Sequence, residues 1–288
     1  MKKKVWFFGG YFLKHELVSG SIYIFIGSIA ANVFNLFFSL FMGRNLTVEA
    51  FGVLISAVSL MSLISIPAGS IIPTIVSFAG SYFAKEDYGS VKILFFKITT
   101  PLIFIGFIIF LFFVVFANRI GDFFKITDQS IILIVGITVA LSYIGVVITG
   151  FLQAKLAFKF ISFSNLIGII FKFLIGVGLV LLGFGVNGAI WAIFISGLIP
   201  FIFGFIYFRS VFISKVNKKN KTNYKTIFSY GIPSSLATLG MMSLISTDIL
   251  LVKHFFDPLQ AGIYAGISLI GKIIFFFTAP IGSVMFPL

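Results

Sequence analysis

The sequence predicts an all-α protein, a polytopic bundle of about eight transmembrane helices with its N-terminus in the cytoplasm. Three observations lead there. Hydrophobic residues make up 59% of the chain and charged residues 10%, with a mean hydropathy of +1.16, whereas a soluble domain carries roughly a quarter charged residues. Apolar stretches long enough to cross a ~30 Å hydrocarbon core, about 20 residues each, recur along the whole length. The charges collect in the gaps between those stretches, far more on one side than on the other.

Residues 1–17 form a cytoplasmic, interfacial lead-in, with Trp6, Phe7 and Phe8 placed at the headgroup level. Lys14, His15 and Glu16 interrupt its apolar run, and no small-residue cleavage site follows, so it does not read as a signal peptide. The spans then run over 19–43, 51–76, 93–117, 130–152, 162–183 and 187–208. The third and fourth are the clearest, because Phe104 to Phe116 and Ile131 to Ile148 contain no charge. Gly183, Gly185, Asn187 and Gly188 mark a tight turn between the fifth and sixth. A polar segment, 209–226, carries six basic residues and no acidic one. Two further spans follow at 228–252 and 260–285. The expected organisation is a six-helix lobe over 18–208, a basic cytoplasmic linker over 209–226, and the first two helices of a second lobe over 227–288.

Alternating the loops puts Lys2, Lys3, Lys4, Lys14, Lys85, Lys92, Lys97, Lys155, Lys159, Arg209 and the lysines of the linker on one side. The other side holds only Arg44, Arg119, Lys125 and Lys253. The positive-inside rule assigns the richer side to the cytoplasm, in the cytoplasmic (inner) membrane. The net charge of +13 is thereby explained as topology, and nucleic acid is not an expected partner. There is no cysteine, hence no disulfide.

Sliding the chain against itself by about 210 residues reveals a repeat. Glu49-Ala50-Phe51-Gly52 faces Gln260-Ala261-Gly262 with one gap, Pro67-Ala68-Gly69-Ser70 faces Pro280-Ile281-Gly282-Ser283, and Gly20 faces Gly231. An even number of helices separates the copies, so both enter the bilayer in the same direction, as in transporters built from parallel repeats. Two complete copies need two six-helix lobes. The chain supplies one lobe and part of another, ending at Phe286-Pro287-Leu288 without a basic flank, and is expected to be a fragment of a longer product. An eight-helix protein completed by dimerisation is the alternative.

Charge inside a bilayer costs about 2.5–3.5 kcal/mol at the centre on insertion scales, which makes intramembrane ions candidates for function. Lys172 in the fifth span and Lys272 in the eighth both fall near mid-depth, one in each lobe. Facing one cavity, they suit an anionic group such as a diphosphate; paired with a carboxylate or snorkelling, they are structural. Asp248, the one carboxylate within a span, is a candidate for ion coupling or for a charge pair with Lys272. Ser28, Asn32, Asn35 and Ser39 recur on one face of the first span, with Asn32 and Asn35 as candidate lining of the path or as interhelical glue. Prolines 67, 73, 101, 200, 233 and 280 permit bending. No cluster has metal-ligand spacing, no Gly-rich loop precedes a Lys-Ser/Thr pair, and no loop is large enough for a catalytic domain. No cofactor and no catalytic residue is expected, and the reading is of a non-enzyme.

The stretch Phe41-Met42-Gly43-Arg44-Asn45-Leu46-Thr47-Val48-Glu49-Ala50-Phe51-Gly52-Val53 resembles the junction of the first two helices in polysaccharide biosynthesis proteins of the multidrug/oligosaccharidyl-lipid/polysaccharide (MOP) flippase superfamily. The stretch from Asp248 through Gln260-Ala261-Gly262-Ile263-Tyr264-Ala265 to Phe286-Pro287 is similar to helices seven and eight of the same family. The resemblance implies a two-lobed bundle of 12 to 14 helices that flips a polyprenyl-diphosphate oligosaccharide for surface polysaccharide synthesis. It also implies membrane lipid and polysaccharide-assembly proteins as partners. A multidrug and toxin exporter of the same superfamily is the runner-up, although two lysines oppose a cationic cargo. A membrane-embedded polysaccharide polymerase or ligase comes next, although the loop over 118–129 lacks the clustered Arg and His it needs. A structural partner in envelope assembly is a further reading.

Overall fold

The computed structural model describes the backbone of residues 4–209 and 246–285, with isolated positions between them, and side chains over 22–209 and 246–272. Among these residues every regular element is helical. α1 spans Lys4–Asn45, α2 Val48–Gly69, α3 Ile72–Phe83, α4 Tyr88–Val115, α5 Ala117–Phe124, α6 Gln129–Ala154, α7 Phe158–Leu179 and α8 Gly185–Tyr207. α9 covers 246–255 and α10 spans Pro258–Met285. Hydrocarbon cannot satisfy backbone N–H and C=O groups, so spanning segments without a closed barrel must be helical.

Several boundaries differ from the sequence reading. α1 is continuous from the lead-in into the first span, so no helix break separates 1–17 from 19–43 across the described residues. The second span is two helices. Pro67 in α2 and Pro73 in the first turn of α3 deprive the ladder of donors, and the chain turns at Ser70 and Ile71, where the Ser70 hydroxyl bonds back to the Pro67 carbonyl at 2.7 Å. The matching prolines of the repeat do not act alike, since α10 runs through Pro280 to Met285 unbroken. The turn foreseen between the fifth and sixth spans is present. A π-helical segment, Val180–Phe184, leads into it, and Gly183 (φ 90°) and Gly185 (φ 54°) take positive φ values that side chains disfavour.

Lipid-facing surface is plain on α4, where Phe104 (64% exposed), Phe107, Ile108, Leu111 and Val115 form one apolar stripe, while Leu102, Gly106 and Phe113 are buried on the opposite face. The chain is a multi-pass membrane protein. Five described stretches are apolar and long enough to cross, and one of them, Phe158–Tyr207, holds both α7 and α8.

α7 packs antiparallel against α8, and α4 antiparallel against α6, whereas α1 runs parallel to α7 and α2 and α3 run parallel to α6; α2 also packs against α10. Their hairpin turns meet at one end. Asp128 caps α6, accepting from the Ser130 N–H at 2.9 Å and from the Asn187 side-chain amide at 2.5 Å, which fastens the α5–α6 loop to the α7–α8 turn. At the same end α2 crosses α10 with backbone in contact. A Cβ on Gly52 would lie 2.9 Å from the Gly262 Cα, and one on Gly262 only 2.1 Å from the Val48 carbonyl oxygen. These are the paired glycines of the repeat.

Two outcomes follow from this architecture. Gly262→Val forces α10 away from α2 and lowers thermal stability by about 1–3 kcal/mol, the cost of overpacking, whereas Gly266→Ala, in open space on the same helix, does not. The Asp128 carboxyl is held below its usual range by the hydrogen bonds from the Ser130 hydroxyl and the Asn187 amide. A lowered folded value contributes stability above the unfolded carboxylate pKa of about 4 and loses it as the pH falls through the folded value. Asn187→Ala therefore reduces the melting temperature at neutral pH, and the difference from wild type shrinks on acidification.

Candidate functional site

Helix α6 presents Thr138, Ser142 and Thr149 along one side, and α7 presents Ser164, Asn165 and Lys172. Spacings of three, four and seven residues keep such side chains on one helical face. With Ser196 and Pro200 of α8 they line a cavity of 470 Å³ between these three helices, inside the usual range for small-molecule sites. Many hydroxyls are committed to their own helices: Thr138 to the Ile134 carbonyl, Thr149 to Gly145 and Ser196 to Ile193. Such back-bonding satisfies the donor while leaving oxygen lone pairs toward the cavity. Asn165 remains exposed at its lining.

Lys172 supplies the cation. Its Nζ donates to the Asn35 Oδ1 on α1 and lies 4.4 Å from the centre of the Phe38 ring. Both partners are uncharged, so neither cancels the ammonium charge at the cavity wall, and amide and ring offset part of its desolvation. The face of α1 that carries Asn35 thus turns to α7. Asn35 positions Lys172 rather than lining the cavity, and Asn32 is likewise absent from the lining.

Lys272 is held differently. Its Nζ lies 3.6 Å from Asp248 Oδ1, and Tyr264 donates its hydroxyl to Asp248 Oδ2 at 3.0 Å. The pair joins α9 to α10 and neutralises both ions, with side chains 20% and 33% exposed. It lies outside the α6–α7–α8 cavity. The structure therefore does not bring the two lysines together: one is a cation held by neutral partners where α1 meets α7, the other half of an ion pair between α9 and α10. Among the described residues no cluster of His, Asp or Glu could hold a metal ion.

Two features escaped the sequence reading. The α6 and α7 hydroxyls and Asn165 recur at helical spacing much as on α1, but Ser and Thr are frequent in membrane helices and gave no reason to single them out. Lys253, placed in a loop by its charge, is buried. Nothing local in the sequence marks that burial.

Comparison with known proteins fits this architecture. Residues 41–288 match the family model described as polysaccharide biosynthesis protein. No curated relative matches by sequence. Among solved structures, a MOP superfamily transporter from Pyrococcus furiosus, described by the reverse polarity of its binding pocket, superposes with a TM-score of 0.61 at 14% identity, covering 93% of this chain and 62% of that one. A multidrug resistance MATE family transporter of the MOP superfamily matches in its inward-facing form (TM-score 0.61, 14% identity, 90% and 64% covered) and in an outward-facing structure of the same description (0.60, 18%, 93% and 63%). The chain has their fold, and it spans less than two thirds of the length of those transporters.

The ion pair yields one expectation. Asp248→Asn strands Lys272 and lowers stability by about 1–3 kcal/mol, less than for a fully buried pair because both groups keep some exposure. The double variant Asp248→Asn/Lys272→Met recovers most of that loss in a thermal melt.

Proposed function

The chain belongs to the polysaccharide biosynthesis protein family, and from that membership and the cationic first-lobe cavity we propose that it works in a transporter that moves a polyprenyl-diphosphate-linked oligosaccharide across the cytoplasmic membrane. The N-terminus and the basic linker over 209–226 lie in the cytoplasm on this reading, with 18–208 as one lobe and 227–288 as the start of the second. Movement is by alternating access, for the assembly of surface polysaccharide together with other proteins of that assembly. The chain acts as a carrier and makes or breaks no covalent bond.

The observation that carries the proposal is Lys172, a cation without a counter-charge among its partners, beside a hydroxyl-lined cavity of 470 Å³. A diphosphate offers several charged acceptor oxygens to an ammonium and to hydroxyl donors. The volume suits the diphosphate and its nearest sugar rather than a whole oligosaccharide, and the prenyl tail stays in lipid. Two structural relatives are described as multidrug resistance transporters, but an uncompensated ammonium repels an organic cation from this cavity. The Pyrococcus transporter, with its pocket of reverse polarity, is described as differing in function, so this fold accommodates pockets of different charge. Lys272, neutralised by Asp248, contributes to anion binding only when that pair opens, which gives Asp248 a gating role in the second lobe.

The test is complementation in a bacterium lacking its own lipid-linked saccharide flippase, using the chain within its complete reading frame and scoring surface polymer. Lys172→Ala reduces surface polymer at least about tenfold at equal protein level, the loss of roughly 1.4 kcal/mol or more of binding, and Lys172→Arg retains part of it. Full activity of Lys172→Ala at normal expression overturns the assignment. Longer glycans in isolated membranes, in place of relocated lipid-linked units, would point to a polymerase instead.

A further inference from the structure

Lys253 stands outside the cavity and outside the Asp248–Lys272 pair. It lies in the last turn of α9 with 1% of its surface exposed, and its Nζ has no hydrogen-bond partner. The carbonyl end of its own helix favours the charge by no more than about 1 kcal/mol at ordinary exposure, while a buried ammonium without an acceptor costs several. Two charges act on it from the first lobe. Lys125, just after α5, repels it, and Glu49, in the first turn of α2, attracts it without forming an ion pair. Glu49 is itself exposed and faces water.

What buries Lys253 is the meeting of the two lobes at the end where the hairpin turns gather. Its neighbours form the closure. Lys125 donates to the Phe256 carbonyl at 2.8 Å, and the Nδ1–H of His254 donates to the Phe123 carbonyl at 2.8 Å. The His254 ring stacks on Phe123 at 3.8 Å between centres. The Gly52–Gly262 crossing packs beside them. Each polar contact across this seam runs from a side chain to a backbone carbonyl, and water can replace either half when the lobes part. Parting also frees Lys125 from Phe256 and uncovers Lys253, with Glu49, Asp122 and Asp257 as the carboxylates on the adjoining elements.

We propose that Lys253 is an anion-binding group of the opposite conformational state, masked here by lobe closure, which with Lys125 receives phosphate-type groups when this end opens. The proposal rests on the transporter reading for its lobe motion, and it adds a second cationic station at the far end from the cytoplasmic linker. The chemistry is that of a phosphate or diphosphate ester, from the cargo or from a lipid headgroup.

The absence of cysteine makes the seam directly readable. In the double variant Phe123→Cys/His254→Cys, in phosphatidylcholine vesicles, cross-linking of the two thiols reports closure. Inorganic diphosphate is expected to slow that cross-linking at least about threefold by stabilising the open state. Lys253→Gln abolishes the response, whereas Lys253→Arg and Lys172→Gln keep it. The same slowing in vesicles of anionic phospholipid without diphosphate assigns the site to headgroups, and its absence there assigns it to cargo. A diphosphate response unchanged in Lys253→Gln, or no response to either anion, overturns the proposal. As a second measurement, Lys253→Met leaves the melting temperature unchanged or raised, because it removes an unpaired buried charge; a marked fall makes Lys253 a structural cation. Failure of complementation would remove the saccharide reading and leave the cross-linking result standing.

Discussion

Hydrocarbon accepts no hydrogen bonds, and every feature of this chain answers to that. Backbone groups must be satisfied within each segment, so the spans are helices. Polar side chains must find partners across helix interfaces or gather where water or ligand can reach them. The hydroxyls of α6 and α8 bond back to their own carbonyls. Asp248 finds Lys272 and Tyr264. Among the described residues, Lys172 and Lys253, which form no ion pair, stand out because the surrounding solvent tolerates so few such exceptions.

Two intramembrane lysines are held in opposite ways. Lys172 is steadied by a neutral amide and an aromatic face, which hold the side chain without cancelling its charge. Lys272 is cancelled by a carboxylate. A cavity that must attract an anion needs the first arrangement. An element that must respond to a change in its surroundings is served by the second, because an ion pair can open and leave both members charged. Where α2 and α10 cross, glycine at both positions allows backbone to touch backbone.

The all-helical class, the turn between the fifth and sixth spans and the family were legible in the sequence, because each depends on local composition. A span needs length and apolarity, a turn needs Gly183 and Gly185, and the blocks around Gly52 and Gly262 are contiguous. Lys172 was legible for the same reason, as a charge in an apolar run. Its partner Asn35 was visible only as part of a stripe, and the stripe could not say whether it faced water or another helix. The second span was read as one helix because its prolines are as compatible with a kink as with a break. The turn at Ser70 and Ile71 had to be seen.

By itself the sequence determined that the chain is an all-helical membrane protein of the polysaccharide biosynthesis family with few intramembrane ions. Hydropathy and periodicity are properties of neighbouring residues, and the bilayer enforces them segment by segment. Tertiary structure alone decided which ions are paired and which are left uncompensated. Lys172 and Lys272 look equivalent in sequence, yet one meets an amide and the other a carboxylate. Lys253 looks like a loop charge, yet it is buried. Pairing depends on which helices become neighbours, and contacts between residues far apart in the chain are set by packing, which no local window of sequence contains.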